Sequence, residues 1–437
     1  MARRYLWIAS VNLFLLVLFA EIAGLFLYYI DTGALFYVHH KTYERITDTP
    51  ESRLTGEALH PYFGPTHMPG LPLQIPAELR ENQPPGVDPA NPTGARTNNF
   101  GFLSAYDFPF ARTRADQFLI GIFGGSVGNW FCHIGVPHLL RSLEANAYFK
   151  GRELVPLCFS HEGYKQPQQL LALTYFLSIG QEFDLVINID GFNEVALASM
   201  NDQRGADISM PSPMHMQGLV NLIDRSTLTP ERLRSMAAIQ RDRDTLDALV
   251  TRLMRTRSAA VYVFLDRYYQ QTRTHYYTEL GRLSNLPDGA VETSMVRVTP
   301  KVATRDGAKL FADIASQWAQ SSLMMQAMLR DRGVPYFHFL QPNQYFTTRR
   351  FGDAEARTAL NPGSPFKSGA EQGYPALNAA SRALVGKEPF FNGVGIFDEE
   401  PSPVYLDDCC HYTLRGNRLL ADFVSASILG AEGPWRR

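Results

Sequence analysis

Ser126 stands at the end of an apolar run, Phe118-Leu119-Ile120-Gly121-Ile122-Phe123, on the small-residue turn Gly124-Gly125-Ser126-Val127-Gly128. Far downstream comes Asp408-Cys409-Cys410-His411. A turn of this kind lifts a hydroxyl to the carboxyl edge of a parallel sheet, the edge where ligands bind. An Asp three residues before a His can hold one ring nitrogen and leave the other to take a serine proton. The combination points to acyl transfer through a serine, with Ser126 as nucleophile, His411 as base and Asp408 as its orienter. Two plainer readings compete with it. Glycine and serine also build ordinary turns. Cys409 or Cys410 is a rival nucleophile, although a Cys adjacent to a His in sequence need not face it.

Two further loops follow apolar runs. Ser160-His161-Glu162-Gly163-Tyr164 offers the backbone N–H of Gly163 to an oxyanion; its alternative is a simple turn glycine. Asp190-Gly191-Phe192-Asn193-Glu194 offers the neutral amide of Asn193, a donor that does not compete as a base. Its alternative is an Asx turn or a helix N-cap. The glycines around Ser126 match neither a phosphate loop, which needs G-K-[ST], nor a dinucleotide loop, which needs G-x-G-x-x-G. No C-x-x-C pair and no H-E-x-x-H helix occurs in the sequence, so neither a metal nor a cofactor is expected.

The elements that must position these residues alternate. Apolar runs at 118–123, 154–159, 185–189 and 334–340 read as buried strands. Helical spacing marks 136–147, 167–178, 306–332, 371–384 and 419–429. Buried strands alternating with amphipathic helices predict an α/β fold with a parallel sheet covered on both faces. Residues 195–300 break the rhythm with helix-like stretches at 230–254 and 259–280. They read as a helical insertion or cap between two parts of a catalytic domain, 97–194 and 301–437. Residues 31–96, rich in Pro towards their end, read as a linker or strap.

The chain has 437 residues, 45% hydrophobic and 19% charged, with a formal net charge of -2. That composition is globular and gives no global field for nucleic acid. The N-terminus differs. Arg3 and Arg4 precede an almost wholly apolar run from Tyr5 to Ile30, long enough to cross a hydrocarbon core of about 30 Å. The leading arginines favour an N-terminus in the cytoplasm and a domain outside it. The run is longer than the apolar part of a cleaved signal peptide, which is the competing reading. A single-pass anchor in the cell inner membrane is the expectation. Four cysteines in a chain of this length do not make a disulfide framework.

The order of these blocks resembles the SGNH (GDSL-like) hydrolase family: Gly124-Gly125-Ser126, then Gly163, then Gly191-Phe192-Asn193, then Asp408-x-x-His411. The resemblance covers roughly residues 97–430. It implies a three-layer α/β/α fold of SGNH/flavodoxin-like type. It also implies a Ser126–His411–Asp408 triad and an oxyanion hole made by the N–H groups of Ser126 and Gly163 and the Asn193 amide. Gly125 replaces the Asp that usually precedes the nucleophile, and Glu194 the Asp that commonly follows the Asn. Arg96-Thr97-Asn98-Asn99-Phe100-Gly101-Phe102 and Leu340-Gln341-Pro342-Asn343-Gln344-Tyr345 look like features of membrane-anchored bacterial relatives, some of which deacylate or modify cell-surface polysaccharides. The resulting expectation is an extracytoplasmic esterase or acyltransferase without a cofactor, with a glycan as possible substrate. A non-catalytic polysaccharide-binding or assembly subunit and a lipid esterase are the alternatives. Arg204, Arg225, Arg232, Arg234, Arg241 and Arg243, together with Tyr262, Phe264, Tyr268 and Tyr269, are the insertion's candidate sugar contacts, against a solvated helical bundle as the plain reading.

Overall fold

The computed structural model describes residues 2–39, 41, 43, 57–72, 96–212, 229–285, 302–387 and 389–436. Helix α1 (Ala2–Thr32) opens the chain. An antiparallel hairpin follows, β1 (Glu57–His60) and β2 (Gly64–His67). Strand β3 (Gln117–Gly124) leads into α2 (Ser126–Trp130), which runs through a π-helical turn at Phe131–Gly135 into α3 (Val136–Glu144). Then come β4 (Glu153–Cys158), α4 (Gln168–Ser178), β5 (Leu185–Asp190) and α5 (Phe192–Gln203). Two long helices, α6 (Pro230–Leu253) and α7 (Ala259–Asn285), precede α8 (Gly307–Arg330) and β6 (Tyr336–Leu340). The chain closes with α9 (Asp353–Ala359), α10 (Lys367–Ala380), β7 (Phe390–Asn392) and α11 (Leu414–Gly430).

These elements fall into two compact units, residues 1–50 with 221–296, and residues 51–220 with 297–437. The second holds a five-stranded sheet in the order β4-β3-β5-β6-β7, every neighbouring pair parallel. This is the α/β fold with a parallel sheet that the alternation predicts. Strands β3, β5 and β6 are buried along their whole length, which is why they read as unbroken apolar runs. Side chains alternate between the two faces. Phe118, Ile120 and Ile122 pack with Leu139 and Leu143 of α3 and Leu420 and Val424 of α11. Leu119 and Phe123 pack on the other side with Leu173 and Phe176 of α4 and Phe63 of the hairpin. The chain leaves β3 for β4 on one side and builds β5, β6 and β7 on the other. The winding therefore reverses beside β3, and its carboxyl end lies at the point where open α/β sheets form a crevice.

One buried carboxylate ties α8 to the sheet. Asp190, the last residue of β5, accepts from Trp318 Nε1 (2.7 Å), His338 Nε2 (2.8 Å) and Asn188 Nδ2 (2.8 Å). His338 Nδ1 meets Ser322 Oγ at 2.7 Å, so both ring nitrogens are used. Helix α8 thus reaches Asp190 directly through Trp318, and through Ser322 by way of His338 on β6.

The first unit is helical, and the residues of α1 enter its core. Glu21 accepts from Ser258 Oγ (2.6 Å) and from the backbone N–H groups of Ala259 (2.6 Å) and Ala260 (3.3 Å), the first turn of α7. Those N–H groups have no partner within their own helix, and a carboxylate is the natural cap for them. Gly24 lets the helices touch: a Cβ there would fall 2.3 Å from the Ala260 nitrogen. Tyr28, Phe36 and Tyr262 stack edge to face, and Lys41 reaches Asp266 at 2.8 Å.

The unit boundaries differ from those drawn on the sequence. Helix α5 and the residues up to 212 belong with the sheet, and β1 and β2 fall inside the stretch read as linker or strap. Residues 73–95 of that stretch, and 213–228 and 286–300 of the insertion, including Arg225, lie outside the described residues. Tyr262 and Tyr269 are buried with α1, not turned outward as sugar contacts, and Arg232 and Arg243 are buried too. Three helices need a core, and these residues supply it; Phe264 and Tyr268 remain exposed.

Asp190→Ala is expected to cost about 3 kcal/mol or more in urea unfolding, because two buried ring donors lose their acceptor together. Trp318→Phe removes one donor and is expected to cost about 1 kcal/mol. Equal losses in the two variants would mean that Asp190 is not the junction.

Candidate active site

Ser126 is the first residue of α2, and 7% of its surface is exposed. Pairing of Gly124 with Ile189 sets the ends of β3 and β5 side by side, so the turns carrying Ser126 and Asn193 adjoin. His411 comes from the loop between β7 and α11. Its Nε2 lies 2.8 Å from Ser126 Oγ, and its Nδ1 lies 2.5 Å from Oδ2 of Asp407. With Asp407 accepting from Nδ1–H, Nε2 carries the free lone pair, and the Ser126 hydroxyl donates to it. Ser126 and His411 are thus brought together as the sequence predicts.

The acid is not the one expected. Asp408 turns away, its Oδ2 accepting from Asn361 Nδ2 at 2.8 Å. Asp407 faces the ring because its other oxygen is held by the backbone. Oδ1 accepts from the N–H groups of Cys409 (2.9 Å), Cys410 (3.0 Å) and His411 (3.2 Å). This wraps the chain around the carboxylate and leaves Oδ2 aimed at Nδ1. Burial alone would raise the pKa of Asp407. Its hydrogen bond and charge interaction with His411, with the backbone donors, outweigh burial and hold it below the ordinary carboxylate range.

The stretch after β6 grips this loop. Asn343 Nδ2 donates to Cys409 O (3.2 Å), Gln344 Nε2 to Asp407 O (3.1 Å), and the Tyr345 hydroxyl to Asp408 O (2.8 Å). Behind it, buried Glu355 accepts from the N–H groups of Val404 (2.7 Å) and Tyr405 (3.0 Å) and pairs with Arg349 at 2.8 Å.

The oxyanion candidates cluster at the nucleophile turn. Asn193 Nδ2 donates to Tyr164 O at 2.8 Å and retains a second N–H. A Cβ on Gly125 would fall 2.2 Å from Asn193 Nδ2 and 3.0 Å from Tyr164 O. No side chain fits there, which is why Gly125 stands where the resemblance leads one to expect an Asp. Glu194 accepts from Gly191 N (2.7 Å) and Gln166 N (2.9 Å), joining the β5–α5 turn to the loop after Tyr164. Gly163 sits in the turn closed by Tyr164 N donating to His161 O at 3.2 Å.

Sequence reasoning missed two braces. Glu162 accepts from Asn129 Nδ2 of α2 (2.6 Å) and lies 3.0 Å from His67 Nε2. Burial would raise this carboxyl, but the bond to His67 and the charges of His161 and His67 hold it well below the usual range. Cys132 and Cys158 form a disulfide that joins the π-helical turn beyond Ser126 to the end of β4. No local motif announces a pairing between cysteines on different elements.

Among the described residues two groups bring metal-ligating atoms within 4.8 Å of one another, Cys409–Cys410–His411 and His67–His161–Glu162. In the first, both His411 nitrogens already serve Asp407 and Ser126. Cys410 Sγ lies 4.0 Å from Ser126 Oγ, and burial drives its thiol well above the ordinary range, so it stays protonated. In the second, His161 Nδ1 is 2.9 Å from the Glu162 carbonyl, the position of a donor and not of a ligand.

No protein-family model matches the chain, and no curated protein matches it. Among solved structures, a lipase, Lip_vut3 from a goat rumen metagenome, is similar at 11% identity and a TM-score of 0.34, covering 71% of this chain and 97% of that one. A likeness at that level carries no argument about activity.

Asp407→Ala is expected to lower ester turnover by about 10³–10⁴-fold, as loss of the group that fixes a catalytic imidazole does. Asp408→Ala is expected to stay within about tenfold of the unaltered protein, since it touches only a loop contact. The reverse ranking would restore the assignment to Asp408. Separately, replacing Cys132 and Cys158 by Ala is expected to lower unfolding free energy by about 2–4 kcal/mol. An unchanged denaturation midpoint would show that the bridge contributes nothing.

Proposed function

We propose that this protein is a serine ester hydrolase or acyltransferase of SGNH type. The observation that carries the reading is the chain Ser126 Oγ–His411 Nε2 at 2.8 Å and His411 Nδ1–Asp407 Oδ2 at 2.5 Å, at the carboxyl end of β3. Ser126 Oγ attacks an ester carbonyl as His411 Nε2 takes its proton. The tetrahedral oxyanion is held by the Ser126 and Gly163 N–H groups and the second N–H of Asn193. His411 returns the proton to the leaving alcohol, and the acyl-enzyme passes its acyl group to water or to another hydroxyl. Asp407 keeps the imidazolium oriented and charge-balanced throughout.

The acyl group we read as small. Ser126 is nearly enclosed, and Cys410 stands 4.0 Å from its hydroxyl. An acetyl ester of a cell-surface glycan is the substrate reading supported by the resemblance to membrane-anchored SGNH proteins. The helical unit lends it less than the sequence promised, since Tyr262 and Tyr269 are interior.

Helix α1 is long and apolar enough to cross a membrane. We read it as a retained single-pass anchor with the α/β unit outside the cytoplasm. Cleavage would strip Glu21 from the first turn of α7 and Tyr28 from the core of the helical unit. A disulfide between Cys132 and Cys158 agrees with an oxidising compartment.

A fluorophosphonate probe should label the intact protein and fail to label Ser126→Ala; labelling of that variant would end the serine assignment. Asn193→Ala should fold and lose about 10²–10³-fold in turnover. Acetylated sugars should be cleaved in preference to long-chain acyl esters; the opposite preference would make the protein a lipid esterase.

A further inference from the structure

The helical unit carries a second surface that the active-site reading does not use. Helix α7 runs alongside the last third of α1 in the same direction: Glu21 meets Ala259 and Ala260, Gly24 packs on Ala260, and Tyr28 packs on Tyr262. The turn joining α6 to α7 therefore points back along α1, towards its N-terminal end.

If Arg4 marks the cytoplasmic boundary, Glu21 lies 17 residues further on, about 25 Å along a helix of 1.5 Å rise. The hydrocarbon core is about 30 Å thick. Glu21 then sits roughly 5 Å below the outer boundary together with Ala259, so the turn before α7 lies just deeper, and Val261 and Phe264 rise from there to the boundary itself. That is the depth at which amphipathic interfacial helices lie, about 5–10 Å into the headgroup and acyl boundary. Glu21 itself does not enter the bilayer as a bare charge, because the N-terminus of α7 covers it with three donors.

The residues at that level match. Met254 is 64% exposed, Val261 47% and Phe264 70%, an outward apolar face in water. The exposed positions of α7 beyond it are mostly polar, with Arg267, Gln270, Gln271 and Thr274; Tyr268 and Tyr277 are the exposed aromatic exceptions. From Ala248 to Leu265 the chain carries Arg252, Arg255 and Arg257 and no carboxylate, and all three arginines are exposed. Guanidinium groups on long apolar stems reach up to the headgroup layer from such a position and pair bidentately with phosphate. The outward residues of α1, Leu16 and Phe19 among them, are exposed in the same way.

We propose that the tip of the α6–α7 hairpin is a lipid-binding element, buried in the outer leaflet through Met254, Val261 and Phe264 and holding anionic phospholipid phosphates through Arg252, Arg255 and Arg257. This rests on the reading of α1 as a retained membrane anchor. It makes the anchor a two-part device. One helix crosses the bilayer, and a second, capped by the first, fixes the azimuth and height of the helical unit on the membrane surface.

The test uses the full chain in nanodiscs of phosphatidylcholine and phosphatidylglycerol, with Cys409 and Cys410 replaced by Ser and the Cys132–Cys158 bridge kept. Nitroxide labels are placed singly at Leu16→Cys, Phe264→Cys and Thr274→Cys. Collision with oxygen and with a water-soluble nickel chelate is then read by power-saturation electron paramagnetic resonance. Positions 16 and 264 are expected to favour oxygen and position 274 to favour nickel. If 264 reads like 274 while 16 remains oxygen-rich, the tip is not inserted and the proposal falls with the anchor intact. If 16 also favours nickel, the membrane reading itself is wrong. A second measurement addresses the arginines. Lipid that stays with the detergent-extracted protein should be enriched several-fold in phosphatidylglycerol over the starting mixture. R252Q/R255Q/R257Q should return to the bulk ratio, with an unchanged helical circular-dichroism signal and melting curve. Equal enrichment in that variant would overturn the phosphate contacts.

Discussion

An imidazole can serve a serine only if one of its nitrogens is already committed, and the α/β unit is arranged around that commitment. His411 Nδ1 is assigned by Asp407, and Nε2 follows as the acceptor for Ser126. Asp407 can do this because its second oxygen is occupied by three consecutive backbone N–H groups. Those groups are presented by a loop with little regular structure of its own. The loop is therefore fixed from outside, by Asn343, Gln344 and Tyr345 on one side and the buried Glu355–Arg349 pair on the other. The stretch after β6 stands beside the site and braces the loop that carries His411.

The Ser126 side is braced by different means. Ser126 opens a helix whose Asn129 is bound by Glu162, and whose continuation is tied by Cys132 to Cys158. Both ties run to the end of β4 and the loop after it, the loop that carries Gly163. Glu194 then joins that loop to the turn of Asn193. Ser126 and the candidate oxyanion donors thus form one cross-linked edge of the sheet. Preorganised donors cost no rearrangement when charge develops, which is what gives such an edge chemical value.

What could be read from the sequence follows from this division. Strands buried on both faces announce themselves as apolar runs, so β3, β5 and β6 were legible, and so was β4, an edge strand still mostly buried, with the turns at their ends. Residues 390–392 were not, because a three-residue edge strand, only partly buried, has no periodicity to show. Ser126 and His411 were legible as residue types at element ends. The choice between Asp407 and Asp408 was not, since adjacent carboxylates differ only in where the backbone aims them. The spacing of three suggested one residue, and a wrapped turn selected the other. The disulfide and the Glu162 brace join elements through space and leave no local pattern.

The helical unit shows the same limit more sharply. Tyrosines spaced along α7 look like a display of rings, and the sequence alone gives no reason to turn them inward. The reason is α1. A helix apolar on every side has no polar face to mark where a partner will pack. Ser10 and Asn12 interrupt that run near its start; Glu21 and Gly24 interrupt it further on, and both fall where α7 begins. A carboxylate inside an apolar span is costly unless it is matched, so its position signals a partner even when the partner lies more than two hundred residues away. Read in that way, Glu21 is the residue through which an anchor and a distant insertion become one structural unit, and the exposed tip beyond it is left facing whatever surrounds the anchor.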